Sequence, residues 1–156
     1  MNEKKIHSQY VQRKEEHPVP YFTYSPRERW EYAKKAEAKK IKDKGFGEKY
    51  DHAGIYCIKL NGKVVYVGQS HNMLLRIAEH ILKINLPDEH KYIILNEAKD
   101  HCNIEFDVLY NVKYDFFSDE DQQLNEKEAE YIAFFQPPLN TQIPDGKGHW
   151  KVNENA

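Results

Sequence analysis

The feature that most constrains the fold is an Asn-Gly pair between two runs of β-forming residues. Residues 54–60 and 63–68 are rich in β-branched and aromatic side chains, and Asn61-Gly62 separates them. Asn-Gly between two such runs is the strongest short hairpin signal, because both residues tolerate positive φ. We therefore predict an antiparallel β-hairpin at this position.

The rest of the chain predicts helices and one further strand. Ser25, Pro26 and Glu28 have the spacing of a capping box, so a helix is expected to run to about Lys44 and to end at Gly45. Further helices are expected at about 71–85 with Ser70 as cap, at 91–101 and at 118–136, and a third strand at 103–112. This order predicts an α+β fold: a small three-stranded, mostly antiparallel sheet flanked by helices, with an N-terminal helical extension.

The length of 156 residues is that of one domain with one core. We expect residues 1–50 to form an extension made of an arm and a basic helix, residues 51–141 to form the main domain, and residues 142–156 to form a loop-like tail. Trp150 is a candidate anchor of that tail.

The composition predicts a soluble, intracellular protein of the cytoplasm. No apolar run approaches the ~18 residues of a membrane span, so no membrane partner is expected. The lysine-rich start of the chain does not resemble a signal peptide. Cys57 and Cys102 have no close-spaced partner, which argues against a zinc site or a disulfide framework, and we expect both to be small core residues.

The charges are distributed unevenly along the chain. The net charge is −2, yet residues 27–49 carry nine Lys or Arg against five acidic residues, whereas residues 100–130 carry ten acidic residues against two lysines. Local field rather than net charge decides where a polyanion docks. One interpretation of the basic first helix is that it contacts the phosphates of a nucleic acid. The alternative is a solvated surface helix pinned by Trp30. The candidate nucleic-acid contacts are Lys35, Lys39, Lys42 and Lys83.

A polar row follows the helix expected at 71–85. At 100° per residue, Arg76, His80 and Lys83 fall together, nearly opposite the apolar side of this helix. One interpretation is a solvated polar face. The other is a site for a phosphate ester, because Arg offers a bidentate fork and His exchanges a proton near neutrality.

The last helix carries a carboxylate within its apolar side. Glu128 points into the stripe formed by Leu124, Tyr131, Ile132 and Phe135, whereas the neighbouring glutamates do not. Such a carboxylate requires compensation by an arginine, by hydrogen bonds or by a metal ion. A buried salt bridge and a position at the rim of the stripe are the structural alternatives.

A rigid turn follows this helix. Pro137 and Pro138 end the helix, and Asn140 comes two residues later. Asn140 either forms an ordinary turn or directs its amide back toward Glu128.

These residues together resemble the GIY-YIG nuclease superfamily. The hairpin carries Gly54-Ile55-Tyr56 and, about ten residues later, Tyr66-Val67-Gly68, where Val67 replaces the hallmark Ile. The resemblance covers about residues 53–141. The remaining matches are Arg76, His80, Glu128 followed by Ile132, and Asn140.

The resemblance implies hydrolysis of a phosphodiester, usually in DNA, at a site with one divalent cation, Mg²⁺ or Mn²⁺. Glu128 would be the only protein carboxylate on the metal, and Arg76 would clamp the scissile phosphate. Tyr56, or a water that it positions, would activate the nucleophile, and either Tyr56 or His80 would take the proton. A free phenol has a pKa near 10, so Tyr56 would need a lowered pKa to act as the base. The residues that would orient phosphate, water or Glu128 are Tyr66 and Asn140.

The resemblance also predicts the register of the hairpin. A two-residue loop would send Tyr56 and Tyr66 to opposite faces of the sheet. A three-residue loop with a bulge would pair Lys59 with Lys63 and place Tyr56 directly opposite Tyr66, on the same face of the sheet. We therefore predict the three-residue loop. Because some relatives carry a further histidine after the helix, His90 is an additional candidate.

Two other interpretations stay open. One is a catalytically inactive module of the same fold that binds nucleic acid or a protein, which the low net charge favours. The other is a chance match in which these residues are structural. The nuclease interpretation is favoured because every catalytic position is filled. Only the N-terminal arm and helix are available for target choice, so limited specificity, a homodimer or a guiding partner is expected.

Overall fold

A computed structural model describes residues 23–115 and 119–154 of the chain. The helices are α1 (Pro26–Ile41), α2 (Gly47–Tyr50), α3 (Met73–Asn85), α4 (His90–Ala98) and α5 (Glu120–Phe135). The strands are β1 (Gly54–Leu60), β2 (Lys63–Ser70), β3 (Ile104–Asn111), β4 (Gln142–Pro144) and β5 (Trp150–Val152). The arm expected before residue 23 and the helix start expected at Ser118 lie outside the described residues.

The central sheet is antiparallel throughout and has the order β2-β1-β3. Strand β2 is an edge strand. Helix α5 packs on one face, where Leu124 and Ile132 join Ile55 and Val67 in one core cluster. Helix α3 packs on the other face, where its apolar side joins Tyr56. The predicted α+β class with a three-stranded sheet is confirmed, and no helix in the two described segments is long and apolar enough to cross a membrane.

The hairpin loop differs from the prediction. Asn61 and Gly62 form a two-residue loop with φ of 50° and 85°, and Leu60 pairs with Lys63. The expected pairing of residues 59 and 63 is therefore wrong. A bulge restores the alignment of the phenols, because Lys59 lies opposite Val64 whereas the preceding residue, Ile58, lies opposite Tyr66.

The bulge places Tyr56 and Tyr66 on the same face, as predicted, but the expectation that they lie directly opposite each other is wrong. Tyr56 lies opposite Gly68, Tyr66 lies two positions away on β2, and the two ring centroids are 6.4 Å apart. A Cβ on Gly68 would lie only 2.6 Å from Cζ of Tyr56. Gly68 is therefore required because the phenol of the facing strand crosses over it.

Helix α1 begins as predicted. Ser25 accepts a hydrogen bond from the backbone N–H of Glu28 at 3.1 Å, and the Glu28 side chain accepts from the N–H of Ser25 at 2.7 Å. The helical path continues through a π-helical turn, Lys42–Phe46, in which Gly45 has a φ of 93°. Gly45 thus breaks the helix where the sequence predicted its end.

The residue that caps α3 and the residue that anchors α1 in the core both differ from the prediction. Asn72, rather than Ser70, caps α3 by accepting from the N–H of Leu75 at 3.0 Å. On α1, Trp30 is only partly buried, and Ala38 is the residue that joins the core with α3. Of the two cysteines, Cys57 is buried as predicted, whereas Cys102 is partly exposed.

The tail is not a loop. Strands β4 and β5 pair as a small antiparallel hairpin, with Pro144 opposite Trp150. The buried side chain of Asn153 anchors it by donating to the carbonyl of Asn140 at 2.8 Å. Its backbone N–H donates to Thr141 at 2.8 Å. The sequence patterns missed this hairpin because its strands are only three residues long.

Candidate active site

His80 lies at the centre of a buried polar chain. Its Nε2 is 2.6 Å from the hydroxyl of Tyr56, and its Nδ1 is 2.6 Å from the hydroxyl of Tyr92. The side chain has no exposed surface, and the ring centroids of Tyr56, Tyr66 and Tyr92 lie 5.4 to 5.6 Å from that of the imidazole. The interpretation of this row as a solvated face is therefore wrong for His80, because the sheet covers this side of α3.

The imidazole is neutral in this environment. Burial, together with the charges of Arg76, Lys91 and Lys83, lowers the pKa of His80 to about 2. A neutral imidazole donates through one nitrogen and accepts through the other. One of the two phenols consequently donates to His80, and the other accepts from it.

We expect this histidine to make the protein sensitive to acid. The pKa of His80 falls from 6.5 to about 2 on folding, so below pH 6.5 the unfolded chain binds a proton that the folded protein does not. The His80 contribution to the free energy of unfolding is therefore complete above pH 6.5 and is lost as the pH falls below that value. Between pH 6.5 and pH 5 the free energy of unfolding should decrease by about 2 kcal/mol. Urea unfolding of the wild type and of His80→Gln at pH 7 and pH 5 measures this, because other titrating groups act equally in both proteins. Equal losses in the two proteins would contradict the prediction.

The two phenols are not ionised in this state. Burial raises the pKa of Tyr56 well above 10, and Arg76 offsets this only in part. The pKa of Tyr66 is also raised, mainly by burial. The charge of Arg76 offsets part of this increase, and the charge of Glu128 adds to it. The protein environment alone therefore does not supply the lowered pKa that Tyr56 would need to act as a base.

Arg76 is held by a carboxylate of its own helix. Its Nη1 donates to Oε1 of Glu79 at 2.6 Å, and 31% of its side chain is exposed. Burial would raise the pKa of Glu79, but the hydrogen bond and the charge of Arg76 lower it, with a smaller contribution from Lys83. A phosphate approaching Arg76 would share the guanidinium with Glu79 or displace it.

Glu128 is half-buried and has a neutral partner. Gln69 on β2 donates from Nε2 to Oε1 of Glu128 at 2.9 Å and to Oδ1 of Asn125 at 3.0 Å. Burial raises the pKa of Glu128, and the bond from Gln69 offsets only part of this effect. Within residues 23–115 and 119–154 no lysine, arginine or histidine forms an ion pair with this carboxylate. Among the described residues, the buried salt bridge considered from the sequence is therefore not formed.

Asn140 is a structural residue of the site. Its Oδ1 accepts from the N–H of Val67 at 2.9 Å, and its Nδ2 donates to the Val67 carbonyl at 2.8 Å. The preceding Leu139 donates its N–H to Val65 at 2.9 Å. This segment thus pairs with the edge of β2, where the Asn140 amide holds the backbone of Val67, and its role in orienting a ligand stays a prediction.

An open cavity of about 250 Å³ lies beside the edge strand β2. Helix α5 reaches it from one face of the sheet, and Tyr66 reaches it from the other. Of the six candidate catalytic residues, Tyr66, Glu128 and Asn140 line it, whereas Tyr56, Arg76 and His80 do not. The lining residues are Tyr66, Lys91, Glu128, Ile132, Asn140, Thr141, Gln142 and Trp150.

The candidate DNA-binding lysines do not form one surface. Lys35, Lys39 and Lys42 line a groove between α1 and the start of α3. Lys39 pairs with Asp43 at 3.0 Å, which weakens the positive field of the groove. Lys83 instead lies over the ring of Tyr92, 5.6 Å from its centroid.

Three contributors to the site were not found from the sequence. Gln69 could have been, because alternation along β2 places it on the face covered by α5, opposite to Tyr66 and Gly68. Tyr92 and Lys91 could not have been identified from the sequence, because the position of α4 depends on packing between distant segments. The candidate His90 is exposed and does not line the cavity, whereas the next residue does.

The donor set limits which metal site is possible. The described residues contain no group of three His, Cys, Asp or Glu side chains that could hold a metal ion. A site built on Glu128 would therefore have one protein carboxylate, with the other positions taken by water and substrate oxygens. Mg²⁺ tolerates such a site, because it retains several waters when bound to proteins.

Comparison with protein-family models, with curated proteins and with solved structures returns no match to this chain. The resemblance to the GIY-YIG superfamily therefore stays a prediction made from the motif residues of the sequence.

Proposed function

We propose that this protein is a metal-dependent endonuclease of the GIY-YIG type that hydrolyses phosphodiester bonds in DNA. The observation that supports this most is Glu128, a half-buried carboxylate that lines an open cavity without a cationic partner in the described structure. The hydrogen bond from Gln69 offsets only part of the cost of burying this charge, and a bound cation would offset more of it.

Glu128 would hold one divalent cation, Mg²⁺ or Mn²⁺, with Gln69 and Asn125 fixing the orientation of its carboxylate. When bound, the metal would neutralise charge that develops on the phosphate. Burial raises the pKa of Glu128 in the metal-free protein, and a bound cation would favour the ionised form of this carboxyl.

Arg76 would bind a non-bridging oxygen of the phosphate. Its contact with Glu79 occupies Nη1, and the guanidinium has further N–H groups for a second acceptor. Its position near both Tyr56 and Tyr66 is supported by its effect on their pKa values. A phosphate there would gain a charge-assisted hydrogen bond that strengthens as negative charge accumulates.

The buried polar chain would carry the proton. Tyr66 lines the cavity and would meet the attacking water, and Tyr56, whose ring centroid lies 6.4 Å from that of Tyr66, contacts His80. As the water oxygen bonds to phosphorus and the bond from phosphorus to the sugar oxygen breaks, the proton of the water would pass transiently along the phenols and Nε2 of His80 and would be returned to the leaving oxygen. This requires the tautomer in which Nδ1–H donates to Tyr92.

Incubation of supercoiled plasmid with the purified protein tests the proposal. Nicking that depends on Mg²⁺ or Mn²⁺ and stops in EDTA is expected. Retarded migration of DNA without any cleavage would instead support an inactive binding module of the same fold. Neither cleavage nor binding would contradict both functions.

A further inference from the structure

An exposed tryptophan forms part of the wall of the candidate active-site cavity. Trp150 on β5 is 44% exposed, and it lines the same cavity as Tyr66 and Glu128. A large exposed aromatic ring beside a cavity is typical of a ligand-binding surface rather than of a core. No proton transfer or metal contact in the proposed mechanism uses this residue.

The tryptophan is fixed relative to the other site residues. Asn153 ties the hairpin of β4 and β5 to the carbonyls of Asn140 at 2.8 Å and Pro137 at 3.3 Å. Asn140 in turn holds β2 through Val67. The indole is therefore positioned by the same loop that fixes the edge strand, which reduces the entropy lost when a ligand stacks on it.

A cation lines the same cavity. Lys91 has 17% of its side chain exposed, and its Nζ lies 4.8 Å from the ring centroid of Tyr66 and 4.9 Å from that of Tyr92. Its ion pair with Glu89 is long, at 3.7 Å. The residue lies in the first turn of α4, where the helix dipole disfavours a positive charge. An anion in the cavity would compensate this charge.

We propose that the cavity binds one unpaired nucleotide next to the cleaved bond, with its base stacked on Trp150 and its phosphate on Lys91. The inference rests on the proposed nuclease function. A base within a duplex has both faces covered by its neighbours, so it stacks on a protein ring only after it leaves the helix. A cavity of about 250 Å³ is smaller than pockets for drug-sized ligands, as expected for one unit of a polymer. The preferred substrate is therefore DNA with a single-stranded segment, such as a flap or a branch.

Tryptophan fluorescence tests the stacking directly. The chain has two tryptophans, so Trp30→Phe leaves Trp150 as the only indole. A twelve-residue oligothymidylate, added without divalent metal, is expected to quench the emission of this variant. A blunt duplex of the same length is expected to leave it unchanged. Quenching by the duplex to the same extent, or no quenching by either, would overturn the proposal.

Binding affinities of variants provide the second measurement. Trp150→Leu and Lys91→Met should each weaken binding of the oligothymidylate by about 10-fold, the loss expected from one base stack or phosphate contact. Trp150→Tyr should retain most of the affinity, because it keeps an aromatic face. Lys63→Met, which removes an exposed lysine of the hairpin turn, is the matched control. Unchanged affinity of both Trp150→Leu and Lys91→Met would overturn the proposal.

These results are separable from those of the plasmid assay. Quenching without cleavage would leave the nucleotide site standing and contradict the nuclease function. Cleavage without quenching would support the nuclease function and contradict the nucleotide site.

Discussion

Tyr56→Phe is expected to lower the rate of DNA cleavage by about 10² to 10⁴-fold, the usual contribution of a positioned proton-transfer group. The substitution keeps the ring over Gly68 and removes only the hydroxyl that contacts Nε2 of His80 at 2.6 Å. Proton transfer from the cavity to His80 would then be interrupted. Single-turnover cleavage separates this effect from product release, and the rate should fall with little change in KM.

Tyr92→Phe is the matched control for this prediction. It removes the hydroxyl from the other nitrogen of His80, also at 2.6 Å and also buried. Both variants leave one buried imidazole nitrogen without its partner, so similar losses of stability are expected, of about 1 to 3 kcal/mol. Because only Tyr56 contacts the nitrogen of His80 that the proposed proton path uses, its loss should slow cleavage more. Equal rate losses in both variants would show that only packing around the histidine matters.

Arg76→Met is expected to lower kcat/KM by about 10² to 10³-fold, as for removal of one donor that stabilises the transition state. The methionine retains an apolar stem of similar length on α3 and removes the charge. Arg76→Lys should restore part of the activity, because it returns the charge without the bidentate fork. Initial rates over a range of DNA concentrations measure both variants.

Arg27→Met controls for the loss of one positive charge. Arg27 is exposed in the first turn of α1, far along the chain from the site residues. Its replacement should change kcat/KM by less than about threefold, through the general electrostatic attraction of DNA. An Arg76→Met protein as active as Arg27→Met would exclude Arg76 as the phosphate ligand.

Local patterns were sufficient to predict most of the fold. The capping box at Ser25 and the turn chemistry at Asn61-Gly62 depend on near neighbours, and both were read correctly as element boundaries. The register of the hairpin was predicted wrongly. A two-residue loop with a bulge near Val65 and a three-residue loop both place the two phenols on one face of the sheet, and the sequence pattern does not distinguish them.

The site was predicted only in part, because local patterns identify single residues whereas their contacts depend on the tertiary structure. Glu128 was recognised because it interrupts an apolar stripe, and it does line the cavity. The burial of His80 was not expected, since a helical wheel describes one apolar side whereas α3 is covered on two. The role of Asn140 also depends on tertiary structure, because its partner Val67 is 73 residues away in the sequence.

The rate of plasmid nicking in Mg²⁺ by wild type and by Glu128→Gln, prepared in the same way, tests the central claim most directly. The glutamine retains an oxygen that can accept from Gln69 and removes the charge that would hold the metal. We predict metal-dependent nicking by the wild type, loss of that metal-dependent rate in Glu128→Gln, and an unchanged rate in Glu130→Gln, an exposed residue of the same helix. Equal nicking by the wild type and Glu128→Gln would contradict the assignment of this cavity as a nuclease site.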